Sequence, residues 1–190
     1  GTTSVTGKVY APNGTEPLPN AIVYVPNTPM AAFSAGVSCD NCLMASGSPL
    51  VSTTTGADGS FTLTNMPVGA NIPLVIQIGR WRRQVVIPSV TACTSTAVAA
   101  SLTRLPKTKA EGDIPKMAFV TGEVDSMECV WRKIGIADSE FTKPSGAGRI
   151  HFYAGGHAPG TYITSIGGAG GTPWESTLLG DPAQLAKYDM

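Results

Sequence analysis

The sequence predicts a mainly β protein, all-β over residues 4–103 and changing to α/β layering beyond residue 110. Three observations predict this. Short runs that alternate apolar and polar residues are separated by Gly, Pro and Asn clusters up to residue 103. No long amphipathic helical pattern occurs before residue 110. After it, a strand pattern, a helical pattern, a second strand pattern and a helix start follow in order.

The elements justify themselves in sequence. In "SVTGKVYA", Val5, Gly7 and Val9 share one face. "PNGTEPLPN" is a turn cluster, with Asn13-Gly14 suited to positive φ. In "AIVYV", Ala21, Val23 and Val25 face one way and Ile22 and Tyr24 the other. Phe61 and Leu63 alternate with Thr62 and Thr64, as in a half-buried strand. "IPLVIQIGRWRRQVVIP" reads as two strands about Gly79 or one long bent strand, and "TAVAASLTRL" closes the set.

Beyond "PKTKAEGDIPK", a polar stretch with a proline near each end, "KMAFVTG" is a short apolar strand. "EVDSMECVWRKIGI" places Met127, Val130, Trp131 and Ile134 on one helical face, with Trp131 expected to pack against "KMAFV" and Glu128 to support Arg132 at i, i+4. "RIHFYAG" is a strand, and "GDPAQLAKYDM" starts a helix with Asp181 as N-cap and Pro182 at the first helical position. Two strands are too few for an independent sheet, so this second domain reads as incomplete.

Composition excludes several classes. Lys plus Arg and Asp plus Glu each number 13, so the net charge is zero, and the basic excess of a duplex-binding protein is missing. Charged residues make up 14% of the chain against about 25% in an ordinary globular protein. Together with 22 Gly and 15 Pro, that suits a loop-rich β protein kept soluble by neutral polar groups. No apolar run approaches the roughly 18 residues of a membrane span. The chain starts at Gly1 without Met or an apolar leader and holds four cysteines. These features point to a secreted, oxidising setting, with a reduced protein of buried thiols as the alternative.

Few constellations carry chemistry. Asp58-Gly59 opens a strand. A calcium loop would need more oxygen ligands at short spacing, and Asp58 is the only acid between Thr53 and Gly69, so it is read as a turn corner. Cys39-Asp40-Asn41-Cys42 has metal or redox spacing but lacks the second pair of a zinc ribbon and lies in a Ser/Gly/Pro-rich stretch. Cys39, Cys42, Cys93 and Cys129 are therefore disulfide candidates, with Cys39–Cys42 and a separate partner for Cys93 preferred. His151 and His157 are read as satisfied or solvated rather than as ligands, although a site with Asp138 or Glu140 is conceivable. No nucleophile elbow and no phosphate-cradling glycine motif occurs, and "GGAGG" is read as a flexible loop. No catalytic residue, metal site or cofactor is assigned. "GRWRRQ" is the one basic–aromatic cluster: Arg80, Trp81 and Arg82 are the ligand-binding candidates, against the simpler reading of a charged hairpin that discourages edge pairing.

The ordered motifs Gly7-x-Val9, Pro17-Leu18 before Ala21-x-Val23, Asp58-Gly59-x-Phe61, Pro67-x-Gly69 and Gly79-x-Trp81 resemble the carboxypeptidase regulatory-like domain over about residues 4–103. That resemblance implies a transthyretin-like antiparallel β-sandwich, an accessory module of secreted enzymes and bacterial surface proteins with no shared catalytic residues. The chain departs from the pattern at an inserted loop, residues 27–49. The expected organisation is a sandwich over 1–105, a linker at 106–115 and a partial α/β domain at 116–190. The expected function is a non-catalytic secreted or cell-surface module with a binding or scaffolding role, taking a protein or carbohydrate partner but no nucleic acid. The alternatives are the N-terminal portion of a larger extracellular α/β hydrolase-like enzyme, with "VTGEVD" bordering its site, and a subunit of a fibre or other assembly joined through an open sheet edge.

Overall fold

The computed structural model describes residues 1–37, 45–122, 127–155 and 171–189. The chain is mainly β and divides into two compact units. Unit 1 comprises Gly1–Phe33 and Asp40–Asp113, and unit 2 comprises Ser34–Cys39 and Ile114–Met190.

Unit 1 contains strands β1 (Ser4–Lys8), β2 (Ile22–Pro26), β3 (Pro49–Thr54), β4 (Ser60–Thr64), β5 (Gly69–Ile78), β6 (Trp81–Val90) and β7 (Ser95–Ala97). They form two sheets, one in the order β4-β1-β7 and one in the order β3-β2-β5-β6. All pairings are antiparallel except β1 with β7. Val5, Phe61 and Leu63 from the first sheet, with Val9 just past β1, meet Val23, Val25, Leu74, Ile76, Val85 and Ile87 from the second in one buried core. This is a β-sandwich, and the period-two alternation in the sequence selects those residues. The opposite face of β2 and β5 is also buried, because Met30 and Ala45 pack on Ile22, Tyr24 and Val75. The inserted loop thus lays its described ends on the outside of the four-stranded sheet.

The segment after Gly79 resolves into two strands. Gly79, at φ 55°, and Arg80 form a two-residue turn between Ile78 and Trp81, which pair with each other. β7 is shorter than "TAVAASLTRL" suggests. Beyond it the chain runs beside Tyr10, whose N–H donates to the Thr103 carbonyl and whose carbonyl accepts from the Leu105 N–H. Residues 106–113, where the sequence placed most of the linker, belong to unit 1. The Trp81 Nε1–H donates to the Pro106 carbonyl, and Asp113 forms an antiparallel bridge with Arg82.

Asp58 is a turn corner. Its carboxylate accepts from the Ser60 N–H at 3.1 Å and the Ser60 hydroxyl at 2.6 Å, while Gly59 takes φ 76°. Those bonds, with the Lys8 ammonium 2.9 Å away, hold its carboxyl far below the usual range. An acid that stays ionised at an exposed turn organises backbone and cannot serve as a proton donor near neutral pH.

Unit 2 contains β8 (Met117–Thr121), α1 (Met127–Lys133), a 3-10 turn (Asp138–Glu140), β9 (Phe141–Thr142), β10 (Ile150–Ala154), α2 (Ser176–Leu179) and α3 (Pro182–Leu185). The sheet order is β8-β10-β9, with both pairings parallel. The third strand, β9, was not foreseen: two residues leave no periodicity to read. Every residue of β10 is buried, as expected for the central strand of a parallel sheet. Asp181 caps α3 as expected, accepting from the Ala183 N–H, with Pro182 at the first position.

The helix α1 departs from its sequence pattern. Met127 and Val130 are exposed, so the apolar stripe does not form a buried face among the described residues. Trp131 is half-buried rather than core. Arg132 makes a two-pronged ion pair with Asp138, at 2.8 and 3.0 Å. The expected Glu128–Arg132 contact rests on the Glu128 side chain, which lies outside what the structure describes.

Candidate functional site

The basic–aromatic cluster is built on the β5–β6 hairpin. Alternation along β6 sends Trp81 to the inner face, where it packs against the core, and Arg82 to the outer face. Arg82 is only 3% exposed. Its Nε–H donates to Asp113 Oδ2 at 2.8 Å, Nη1 to the Ser46 hydroxyl at 2.7 Å and Nη2 to the Ala31 carbonyl at 2.9 Å. The Phe33 ring covers the guanidinium, its centroid 4.2 Å from Cζ. A buried guanidinium needs this much compensation to remain charged.

Of the three ligand-binding candidates, Arg82 is therefore enclosed by protein, and it ties both described ends of the insertion and the 106–113 segment to the sheet. Trp81 directs its one N–H to Pro106. Arg80 sits at the hairpin turn, 5.8 Å from the Phe33 ring centroid. Nothing local to "GRWRRQ" marks Ser46 or Asp113 as partners, since they lie 36 and 31 residues from Arg82. Arg83, beside them, donates to the carbonyls of Ser101 and Arg104. Arg104 in turn grips Glu111 with two bonds of 2.7 and 2.8 Å, which holds the Glu111 carboxyl down at about 2.

These contacts decide which sheet edges are open. β6 is an edge strand, but its start is closed by the paired backbone bonds between Arg82 and Asp113. β4 begins beside the Lys8–Asp58 ion pair, and β7 has only three residues. β3 differs. It is a six-residue edge with no charged side chain, and its Leu50 is 53% exposed. The Thr55 N–H donates to the Ala21 carbonyl, so along β3 the alternate residues Ser52 and Thr54 turn their backbone groups away from β2. That lack of charge was legible in "PLVSTT"; the strand's position at an edge was not.

The remaining candidates are dispersed. Cys93 and Cys129 are free and exposed, which corrects the expectation that Cys93 has a disulfide partner. The turn carrying Cys93, at φ 57° with its N–H donated to Thr3 Oγ1, presents the thiol to solvent. Cys39, Cys42, His157, "GGAGG" and the Glu123–Asp125 part of "VTGEVD" lie outside the described residues. His151 is buried and bonded through both ring nitrogens. Among the described residues no group of three His, Cys, Asp or Glu is placed to hold a metal ion, and no helix is long and apolar enough to cross a membrane.

No protein-family description and no characterised protein sequence matches the chain. Similar solved structures include chains from two crystal structures of type II cohesin–X-dockerin complexes from Acetivibrio cellulolyticus. One, a C-terminal interface mutant, is 18% identical with a TM-score of 0.33, and the match covers 54% of this chain and 56% of that one. The other, an N-terminal interface mutant, is 16% identical with a TM-score of 0.36, over 70% of this chain and 84% of that one. The chain thus spans just over half the length of the first. Likeness at this level carries no argument, and the β-sandwich rests on the strands and core described above.

Proposed function

We propose that unit 1 is a non-catalytic binding module of a secreted or cell-surface protein, and that it takes a protein partner by strand addition along β3. The observation that carries this reading is the uncharged edge at Ser52 and Thr54, in a sandwich whose β6 edge is closed at its start by its own chain. Natural edges are commonly blunted by charge, proline or a covering segment. An edge left open offers main-chain donors and acceptors to an extended segment. The resemblance of residues 4–103 to the carboxypeptidase regulatory-like domain supports the same role.

The test uses the isotopically labelled full chain and a synthetic peptide of the β3 sequence, Pro49–Thr54, as the simplest uncharged strand. Binding that protects the Ser52 and Thr54 amides from exchange, and that weakens at least tenfold in Ser52→Pro, supports the reading. No binding, or binding indifferent to that substitution, overturns it. So does turnover of a substrate by this chain that one point substitution abolishes.

The parallel sheet β8-β10-β9 favours a second reading for unit 2. Parallel strands with a buried centre are the arrangement of α/β enzymes, and unit 2 then belongs to the N-terminal portion of a larger hydrolase-like protein. Hydrolytic activity in a longer gene product, lost on substitution near the C-terminal end of β8, tests it.

A further inference from the structure

Strand β10 buries His151, which is 2% exposed, and both of its ring nitrogens have partners. Nε2 lies 3.1 Å from the Gly148 carbonyl oxygen, an atom that can only accept, so Nε2 carries the proton of the neutral ring. Nδ1 is then an acceptor, and the Tyr188 hydroxyl 3.0 Å away donates to it. The Tyr188 oxygen in turn accepts from the Tyr153 hydroxyl at 2.9 Å. The hydrogens run one way, from Tyr153 through Tyr188 to His151, and all three residues are buried.

We propose that this chain is an acid-sensitive latch: a proton taken from solvent onto His151 Nδ1 releases the Tyr188–Asp189 segment from β8 and β10. Adding that proton leaves Nδ1–H and the Tyr188 O–H facing each other as two donors. If the chain reverses instead, Tyr188 donates to Tyr153, and the Tyr153 hydrogen loses Tyr188, its hydrogen-bond partner among the described residues. Either outcome leaves a buried donor unmatched. Tyr188 is one side-chain anchor of its segment, and Asp189 is the other. Beside it, the Asp189 N–H donates to the Lys116 carbonyl at 2.7 Å, and Asp189 Oδ2 accepts from the Lys116 N–H at 2.7 Å.

The two cations near the ring act in the same direction. The Lys116 ammonium lies 5.1 Å from the Tyr188 ring centroid, on the β8 side. Arg149 precedes β10, with its Nε–H on the Ile114 carbonyl and Nη2 3.9 Å from Asp189 Oδ2. Asp189 is the acid of the latched segment. On the β9 side the neighbour of His151 is Thr142, and the backbone of Glu140 packs against Gly148. α2 contributes the apolar Leu178. Burial, then Lys116 and Arg149, hold the imidazole below its ordinary value of 6.5, against the opposing bond to Gly148. A histidine depressed in this way favours the latched form fully above about 6.5, and the preference is lost as pH falls from there through the lowered value.

The experiment measures amide exchange of the full chain at pH 7.5 and pH 5.0, expressed as protection factors, which remove the intrinsic pH dependence of exchange. The expected result is a fall in protection of the Asp189 amide at pH 5.0, the direction that linkage to a depressed histidine requires, with the Val23 amide of unit 1 unchanged. His151→Gln, which cannot titrate, is expected to show no step, and Tyr188→Phe to show low protection at both pH values. If either variant fails to fold, the ring nitrogen shifts of the unaltered protein report the same event: Nδ1 gains its proton over the interval in which protection falls. Asp189 protection that stays constant to pH 5.0, a step of equal size in His151→Gln, or a ring still neutral at Nδ1 when protection is lost overturns the proposal.

Discussion

Arg82 and Asp113 meet twice, once through an antiparallel pair of backbone bonds of 3.0 and 2.7 Å and once through a 2.8 Å ion pair between their side chains. The first contact closes the start of the β6 edge, and the second neutralises the guanidinium that anchors the insertion. A residue that the sequence marks as a ligand-binding candidate thus holds three separate stretches of chain on one sheet.

Arg82→Ala is expected to destabilise unit 1 by about 2 kcal/mol, because the hydrogen bonds of a buried guanidinium are lost while the half-exposed Asp113 carboxylate left behind can be solvated. Arg82→Lys should recover only part of this, because an ammonium cannot reach Asp113, Ser46 and Ala31 in the fixed planar geometry of the fork. Arg80→Ala, at the turn, should cost about 0.5 kcal/mol. Urea unfolding of the three variants ranks them, and an Arg80 variant as unstable as the Arg82 one contradicts the assignment.

Gly112→Ala tests the backbone half of the same contact. A Cβ at Gly112 would overlap the Arg82 carbonyl oxygen, which belongs to the bridge itself. Overpacking against backbone costs about 1–3 kcal/mol. The midpoint of urea unfolding should fall accordingly, with faster exchange of the Arg82 and Asp113 amides.

Thr55→Val removes a hydroxyl that accepts from the Ala21 N–H at 2.9 Å and donates to the Leu18 carbonyl at 2.7 Å. Shape is conserved, so the loss isolates two buried backbone groups, at a cost of about 2 kcal/mol. Thermal unfolding measures it, and a change within error would show that other groups satisfy both atoms.

Glu111 gives unit 1 an acid limb. Its carboxyl is held down at about 2 chiefly by the bonds from Arg104, against an ordinary value of 4.5. A depressed acid contributes stability that is present above about pH 4.5 and is lost as pH falls through about 2. With allowance for its partial exposure this amounts to about 1–2 kcal/mol. Stability measured from pH 5 to pH 2 should fall less steeply in Glu111→Gln.

Cys93 and Cys129 should both react with a maleimide in the native protein without denaturant, as exposed thiols do. Peptide mapping of the labelled, non-reduced chain checks this, and a cross-linked peptide containing Cys93 would contradict it.

What the sequence by itself determined was the face of each long strand. Val5, Val23, Phe61 and Leu63 are placed by period-two alternation, and the Asp58 corner and Asp181 cap by side chains that bond their own neighbouring backbone. These are local properties, complete within a few residues. Only the tertiary structure decided the rest. It brought Asp113 and Ser46 to Arg82, added the two-residue β9 to the parallel sheet, left the apolar stripe of α1 exposed at Met127 and Val130, and put β3 at the edge of the four-stranded sheet. Each depends on which distant segment arrives beside a residue. A charged side chain reads alike in sequence whether a carboxylate 31 positions away or solvent surrounds it.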